Sequence, residues 1–369
     1  MPGADLDWIL ERTAPLWADL AGQDLFLSGG TGFFGRWLLE SFLAANDRLD
    51  LRARVTVLSR DPARFRARFP HLGDHPAVRW HQGEITAFTP PAGRFPFVIH
   101  GATEASVKLN LEAPLVMFDT ITAGTRRVLD LAAGAGTRRF LFVSSGAVYG
   151  PQPPDLPLVA ETHPGAPDPF DPAAAYGLGK RAAEFLGAVW GREPGRAFTA
   201  ARCYAFVGPH LPLDQHFAAA QFIRAGRAGG PIVVAGDGRP VRSYLYAADL
   251  AVWLWTILLR GAPGEAYNVG SDQPVSIREL ADRVAAAFSP SPAIEVCQPP
   301  GPGPAPRYVP SIDKARRQLG LDVGIPLDDG IRRTVAWHQA GGADPRAPNP
   351  RDPTPRETAP VRATPGGSA

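Results

Sequence analysis

Residues 27–38 read LSGGTGFFGRWL. An apolar run ends at Leu27, glycines follow three apart at Gly29, Gly32 and Gly35, and a helical pattern starts at once. Glycine is the residue of choice where another backbone or a ligand must approach closely. At a strand-to-helix turn that space suits phosphate oxygens, because the helix N-terminus offers unpaired N–H groups and a partial positive charge. The stretch therefore predicts a buried first strand, a turn that cradles a pyrophosphate, and a helix. Its spacing is G-x-x-G-x-x-G and differs from the G-x-G-x-x-G fingerprint. The candidate cradle residues are Gly29, Thr31, Gly32, Phe33, Phe34 and Gly35.

Outward from that turn the chain alternates. Residues 6–20 read as an amphipathic helix ahead of the first strand. ARVTVLSR (53–60), VRWHQGEI (78–85), RFPFVIHGAT (94–103) and RRFLFVSSGAVYG (138–150) read as strands. RWLLESFLAA (36–45) and LVMFDTITAGTRRVLDLAAGAG (115–136) read as helices. Strands alternating with helices imply a parallel sheet covered on both faces. Residues 151–172 are rich in proline and read as a loop. A helix at 173–190 and a strand in TAARCYAFVGP (199–209) follow. After these, IVVAGDG, SYLYAADLAVWLWTILL, AYNVGS and SIRELADRVAAAF suggest short elements of a second lobe, and 289–306 is again proline-rich. The predicted fold class is α/β, a doubly wound parallel sheet of Rossmann type with a smaller C-terminal substrate-binding lobe. Residues 1–203 form the first unit, 204–340 the second, partly interleaved with it, and 341–369 a tail. That tail has seven prolines, four arginines and almost no large apolar residue, so it reads as disordered.

The 369 residues suffice for a large core, and 38 basic against 36 acidic residues leave a formal charge of only +2. No field of one sign points to nucleic acid or an anionic membrane. Leu250–Leu259 is apolar but too short to span a bilayer. The N-terminus shows no basic start followed by a long apolar run, which points to the cytoplasm. Cys203 and Cys297 stand alone, without a C-x-x-C, so neither a disulfide framework nor a zinc site is expected. His71, Asp74 and His75 lie beside prolines and read as a solvated loop, with no metal expected.

SGGTGFFG resembles the TGxxGxxG turn of the extended short-chain dehydrogenase/reductases, the NAD-dependent epimerase/dehydratase family. The resemblance extends from residue 24 to about residue 338. It implies an NAD or NADP cofactor. An acid at the end of the second strand would hold the NAD ribose, whereas a nearby arginine accommodates the NADP phosphate. This chain has Ser59-Arg60-Asp61 there, with Asp61 past the position, which favours NADP. Glu84 and Ile85 match the family's acid–aliphatic pair at the adenine, and Ala102 and Thr103 would line the cofactor channel.

Tyr176 and Lys180 are four apart on a predicted helix and so share a face. Removing a hydride from a carbinol carbon needs a base for the hydroxyl proton. A tyrosine of pKa about 10 is a poor base at neutrality, and a nearby ammonium favours the phenolate. Shifting that pKa by ~3 units takes ~4 kcal/mol. The resemblance adds Lys180 on the nicotinamide ribose and Ser145, in SSGAVYG, as the partner hydroxyl, ahead of Ser144. Family 4,6-dehydratases carry two acids directly after that position; here stand Gly146 and Ala147, which cannot move a proton. Glu104 and Glu161 are the carboxylates that could substitute.

Two downstream segments resemble the family's nucleotide-sugar contacts. VRSYLYAADLA places Arg242 on the substrate diphosphate with Asp249 as a structural partner, and PRYVPSIDKA places Arg307 on the nucleotide. Two family asparagines are replaced, by Ala205 and Ile121. The resemblance implies a nucleotide-sugar epimerase or 4-keto reductase, with Ser145, Tyr176 and Lys180 as catalytic residues. A 4,6-dehydratase, a reductase of non-nucleotide carbonyl compounds and a non-catalytic dinucleotide sensor are the alternatives. The helices at 112–133 and 173–190 have apolar faces; the resemblance implies that they pair into a four-helix interface of a homodimer.

Overall fold

Leu25, Leu27, Val55, Val57, Ile99 and Leu141 pack in one buried cluster, while Phe26, Val98, Phe140 and Phe142 pack in another. Successive strand residues point to opposite faces, so these runs without polar alternation build a sheet buried on both sides. The computed structural model describes residues 1–103, 107–214 and 217–342. Its main sheet has seven strands, all parallel. In chain order they are β1 (Asp24–Ser28), β2 (Arg54–Ser59), β3 (Val78–Gln82), β4 (Phe97–His100), β5 (Arg139–Ser145), β6 (Ala197–Cys203) and β7 (Glu265–Val269). In space they run β7-β6-β5-β4-β1-β2-β3. Leu27 is in register with both Val57 and Ile99.

The strand order reverses between β1 and β4, which opens a crevice at the C-terminal ends of the strands. Trp37 and Phe42 of α2 (Phe33–Arg48) cover one face together with Trp253 and Trp255 of the helix Ala247–Arg260. That helix is buried from Ala247 to Leu259, as expected of a core helix. Met117, Ile121 and Val128 of the helix Pro114–Gly134, with Ala183 and Trp190 of the helix Ala175–Trp190, cover the other.

Three expectations change. Residues 6–20 are not one helix: α1 (Gly3–Thr13) gives way to a 3-10 segment, Ala14–Leu20, because Pro15 lacks the N–H that would continue it. AYNVGS belongs to β7, paired with β6 on the main sheet rather than in a separate lobe. Within the proline-rich 289–306 stretch, Ile294–Val296 forms a strand against Ile232–Val234. The chain beyond Gly342 lies outside the described residues.

The glycines of the opening stretch divide the work. Gly29 has φ +79°, and a Cβ there would come within 2.6 Å of Gly101 carbonyl carbon on the β4 side of the crevice. At Gly35 a Cβ would lie 2.2 Å from Gly29 O and 2.4 Å from Gly30 Cα, so the helix sits directly on the turn. Gly35→Ala should cost about 1–3 kcal/mol of stability through overpacking, read as a lower urea midpoint with an unchanged m-value.

Candidate active site

The crevice begins at the turn after β1. Gly32 is the N-cap of α2 with no side chain capping the helix, and only Gly29 O, at 3.4 Å, lies near its missing Cβ. The first turn of α2 thus carries no side-chain cap, and its N-terminus is left to an outside anion such as a pyrophosphate. Phe34 packs edge-on against Phe206 at 5.0 Å and anchors the turn to the segment after β6, while Phe33 packs on Phe34. Thr31 is half-buried.

The end of β1 is wired to its neighbours. Ser28 Oγ meets His100 Nδ1 at 2.7 Å and accepts the Ala102 N–H; His100 Nε2 meets Thr125 Oγ1 at 3.1 Å. Burial, aided by the Lys180 charge, pushes His100 down to about 3, so this ring is neutral and structural. On the other side, Ser59 Oγ accepts the Asp61 N–H, and Asp61 caps the next helix by accepting from Arg64 N. Arg60 Nε lies 3.7 Å from Glu84 Oε1, both side chains exposed. Ile85 is buried beneath Gly124. The residues after β2 and β3 thus meet, with Arg60 facing a carboxylate.

Tyr176 and Lys180 project from the helix Ala175–Trp190. Asn110 Oδ1 accepts the Tyr176 N–H while its amide donates to Ala173 O, which fixes the start of that helix. Lys180 is fully enclosed, donating to Thr103 Oγ1 at 3.0 Å and to Val143 O at 2.7 Å. Burial draws its ammonium down to about 8. The sequence led us to expect this charge to lower the Tyr176 phenol. Instead burial pushes Tyr176 up to about 12; the Ser145 hydrogen bond pulls it down and Cys203 pushes it up. The reason is geometric: Lys180 directs two of its three N–H donors at Thr103 and Val143, and its Nζ sits 5.8 Å from the Tyr176 ring centre.

Strand alternation separates the two serines that end β5. Ser144 turns away and donates to Glu184 at 2.6 Å; Glu184 in turn holds Arg202 by two guanidinium nitrogens. Ser145 faces the crevice, its Oγ accepting the Ala147 N–H and lying 3.4 Å from Tyr308 Oη.

Arg242 and Tyr308 are register partners on adjacent parallel strands, Val241–Arg242 and Arg307–Tyr308. Partners share a face, so the Arg242 guanidinium stands 5.9 Å from the Tyr308 ring centre. Among the described residues no carboxylate pairs with Arg242. Arg307 falls on the opposite face, donating to Pro157 O at 3.3 Å with its Nε enclosed and unpartnered. The structure therefore brings Tyr308, rather than Arg307, beside Arg242. Asp249 is structural: it accepts from Trp8 Nε1 and from the Gly324 and Ile325 N–H groups. Ile121 is core, packed against Gly179. Glu161 accepts the Asn268 N–H within the Arg202–Tyr149–Asn268 network. Glu104 lies outside the described residues. Asn110, Tyr204 and Tyr308 escaped the sequence reading. Adjacency to Arg307 was the only hint at Tyr308, and nothing local marks the other two.

Residues 25–270 match the family model described as "NAD dependent epimerase/dehydratase family". The chain is 28% identical over 312 residues to a UDP-glucuronic acid decarboxylase of Arabidopsis thaliana, covering 85% of this chain and 69% of that one. It is 27% identical to a dTDP-glucose 4,6-dehydratase of Streptomyces antibioticus, covering 86% and 92%. Among solved structures, a UDP-glucose 4-epimerase from Thermotoga maritima with UDP-glucose aligns with TM-score 0.71 at 22% identity, covering 86% and 99%. A dTDP-glucose 4,6-dehydratase from Streptomyces venezuelae with NAD bound aligns with TM-score 0.71 at 25% identity, covering 86% and 97%.

The depressed Lys180 pKa has a testable sign. Between about 8 and the ordinary 10.5 the unfolded chain binds a proton that the folded chain has released, so stability rises with pH across that window. Urea unfolding of wild type and Lys180→Met should show wild type gaining about 3 kcal/mol on the variant over that range. A flat difference would mean the ammonium is not desolvated.

Proposed function

We propose, from the premise that the chain belongs to the NAD dependent epimerase/dehydratase family, that it is an NAD(P)-dependent nucleotide-sugar epimerase or 4-keto reductase. The observation that carries this reading is the convergence of Ser145, Tyr176 and Lys180 on the crevice beside the open Gly32 cradle. A nicotinamide bound in this crevice would supply the hydride acceptor and donor for the sugar carbinol carbon. The chain's own residues do the rest. Tyr176 exchanges a proton with the sugar hydroxyl, and Ser145 directs its single O–H at the phenolate or at that oxygen. Lys180, buried and held by Thr103 and Val143, supplies positive charge to a site where burial alone would keep the phenol neutral.

Gly29, Thr31, Gly32, Phe33, Phe34 and Gly35 would line the pyrophosphate. Glu84, Ile85, Ala102 and Thr103 would complete the dinucleotide channel. Ser59 and Arg60 would accept a 2′-phosphate, which favours NADP once Arg60 leaves Glu84. Arg242 would grip the substrate diphosphate, with Tyr308 rather than Arg307 beside it. Residues 1–203 would hold the dinucleotide and 204–340 the substrate, with β7 returning to the first unit. Leu115 and Val116 on one helix and Phe185 and Val189 on another are exposed, which supports a homodimer through those faces.

A 4,6-dehydratase is the second reading, favoured by the names of several relatives. It requires an acid and a base beside the sugar C5 and C6. The Gly146 position has no room for either, because a Cβ there would lie 2.6 Å from Tyr204 Cζ and 2.7 Å from Tyr308 Oη.

Tyr176→Phe should cut turnover of a nucleotide hexose about 10²–10⁴-fold with nucleotide binding retained; unchanged turnover would refute the catalytic assignment. Arg242→Ala should weaken binding of the nucleotide sugar about 10–100-fold, read by calorimetry. Activity and affinity untouched by that change would point to a non-nucleotide carbonyl substrate. Denaturing fresh protein and weighing the released nucleotide separates the reactions. Retained NAD or NADP means a cofactor recycled within each turnover, while an empty site that binds NADPH means a reductase. Sedimentation should give a dimeric mass, and a monomer would refute the interface.

A further inference from the structure

The tyrosine pair behind Gly146 enters the reading above only as a wall that leaves no room for an acid. Tyr204 and Tyr308 pack with ring centres 4.4 Å apart and planes tilted by 35°, and they fill the space that a side chain at position 146 would occupy. Tyr308 reaches the serine that faces the crevice: its Oη lies 3.4 Å from Ser145 Oγ, where either oxygen can donate, and 3.5 Å from Cys203 O, which accepts from it, so its single proton is shared between two acceptors at nearly equal distance.

We propose that Tyr308 is a positioning residue for the proton chemistry, its phenol donating to Ser145 Oγ so that the serine's own O–H is directed at Tyr176. A hydroxyl has one donor and two acceptor lone pairs. Ser145 Oγ accepts the Ala147 N–H with one lone pair. If Tyr308 fills the second, the remaining Ser145 O–H has only Tyr176 or the substrate oxygen left to meet. The chain of hydroxyls is then Tyr308 to Ser145 to Tyr176, all neutral at rest, with no net proton displaced. When Tyr176 ionises, both links shorten and polarise each other. Gly146 is what permits this arrangement, since any Cβ there would push Tyr308 from the serine. This assignment rests on the reading of Tyr176 as the proton-exchanging group.

The groups that face the Tyr176 phenol are few. Lys180 stands on its own helix with its donors engaged elsewhere, Cys203 closes β6, Ser145 closes β5, and Tyr308 stands behind Ser145. Arg242 lies one shell further out, over the Tyr308 ring. Burial dominates in raising the phenol, and of these groups Ser145 acts against it through a hydrogen bond, so its orientation bears on how readily Tyr176 ionises.

The opposite proton arrangement is also a definite alternative. Tyr308 could donate to Cys203 O and receive from Ser145, taking the serine's proton away from Tyr176. The two differ in sign when the Tyr308 hydroxyl is removed. The experiment is a ¹³Cζ-tyrosine NMR titration of the full-length protein saturated with NAD, with the Tyr176 signal assigned by its loss in Tyr176→Phe. Tyr308→Phe, which keeps the ring on Tyr204, should move the onset of Tyr176 ionisation upward by about 0.5–1 pH unit. Ser145→Ala should move it upward as well, and the double variant no further than Ser145→Ala alone. Gly146→Ala, which displaces Tyr308 by contact, should reproduce the Tyr308→Phe shift and serves if that variant folds poorly. A downward or absent shift, or additive effects of the two changes, overturns the proposal. None of these readouts needs turnover. Hydride transfer retained by Tyr176→Phe would therefore fail the proposed function separately, leaving the hydroxyl chain to be judged on its own shift.

Discussion

A single buried ammonium holds the centre of this molecule together. Lys180 Nζ binds Thr103 on the loop after β4 and the Val143 carbonyl near the end of β5, so one side chain ties the helix Ala175–Trp190 to two adjacent strand ends across the crevice. Enclosing a charge is costly unless its donors are satisfied. The two hydrogen bonds and the Phe142 ring, 4.8 Å from Nζ, meet that demand. The cost survives as a lowered ammonium pKa, which means the fold carries strain in electrostatic form where a cation is needed for chemistry.

The surroundings of that charge are fixed by polar networks that have no chemical role themselves. Ser144, Glu184, Arg202, Tyr149 and Asn268 form a connected set on the far face of β5 and β6. Because each polar group is paired, the end of β5 has one conformation, and Ser145 can point only into the crevice. Ser28, His100 and Thr125 do the same for β1 and β4. A site whose reacting groups sit on strand ends and helix starts inherits the rigidity of the sheet.

Gly146 and the two tyrosines show how one missing side chain selects among related chemistries. An acid at position 146 would supply a proton to a leaving group; the aromatic wall that stands there instead offers only a hydroxyl. The space belongs to residues from three distant segments, 146, 204 and 308. A substitution at any one of them changes the room left for the others.

The glycine spacing, the strand–helix alternation and the Tyr176–Lys180 pair were legible from sequence because each depends on a short-range rule: backbone approach at a turn, side-chain period, and the four-residue repeat of a helix face. They were enough to state the parallel sheet and the crevice at its strand ends, and to bring Tyr176, Lys180 and Ser145 forward as candidates. The ionisation of Tyr176, the partner of Arg60, the face taken by Arg307 and the return of β7 to the main sheet were not legible. Desolvation depends on everything packed around a group, ion pairs join loops after different strands, and strand pairing joins segments far apart in the chain. Tyr308 is the clearest case. Its hydroxyl reaches Ser145 across 163 positions, a contact that no local pattern encodes and that only the packing of Tyr204 over Gly146 decides.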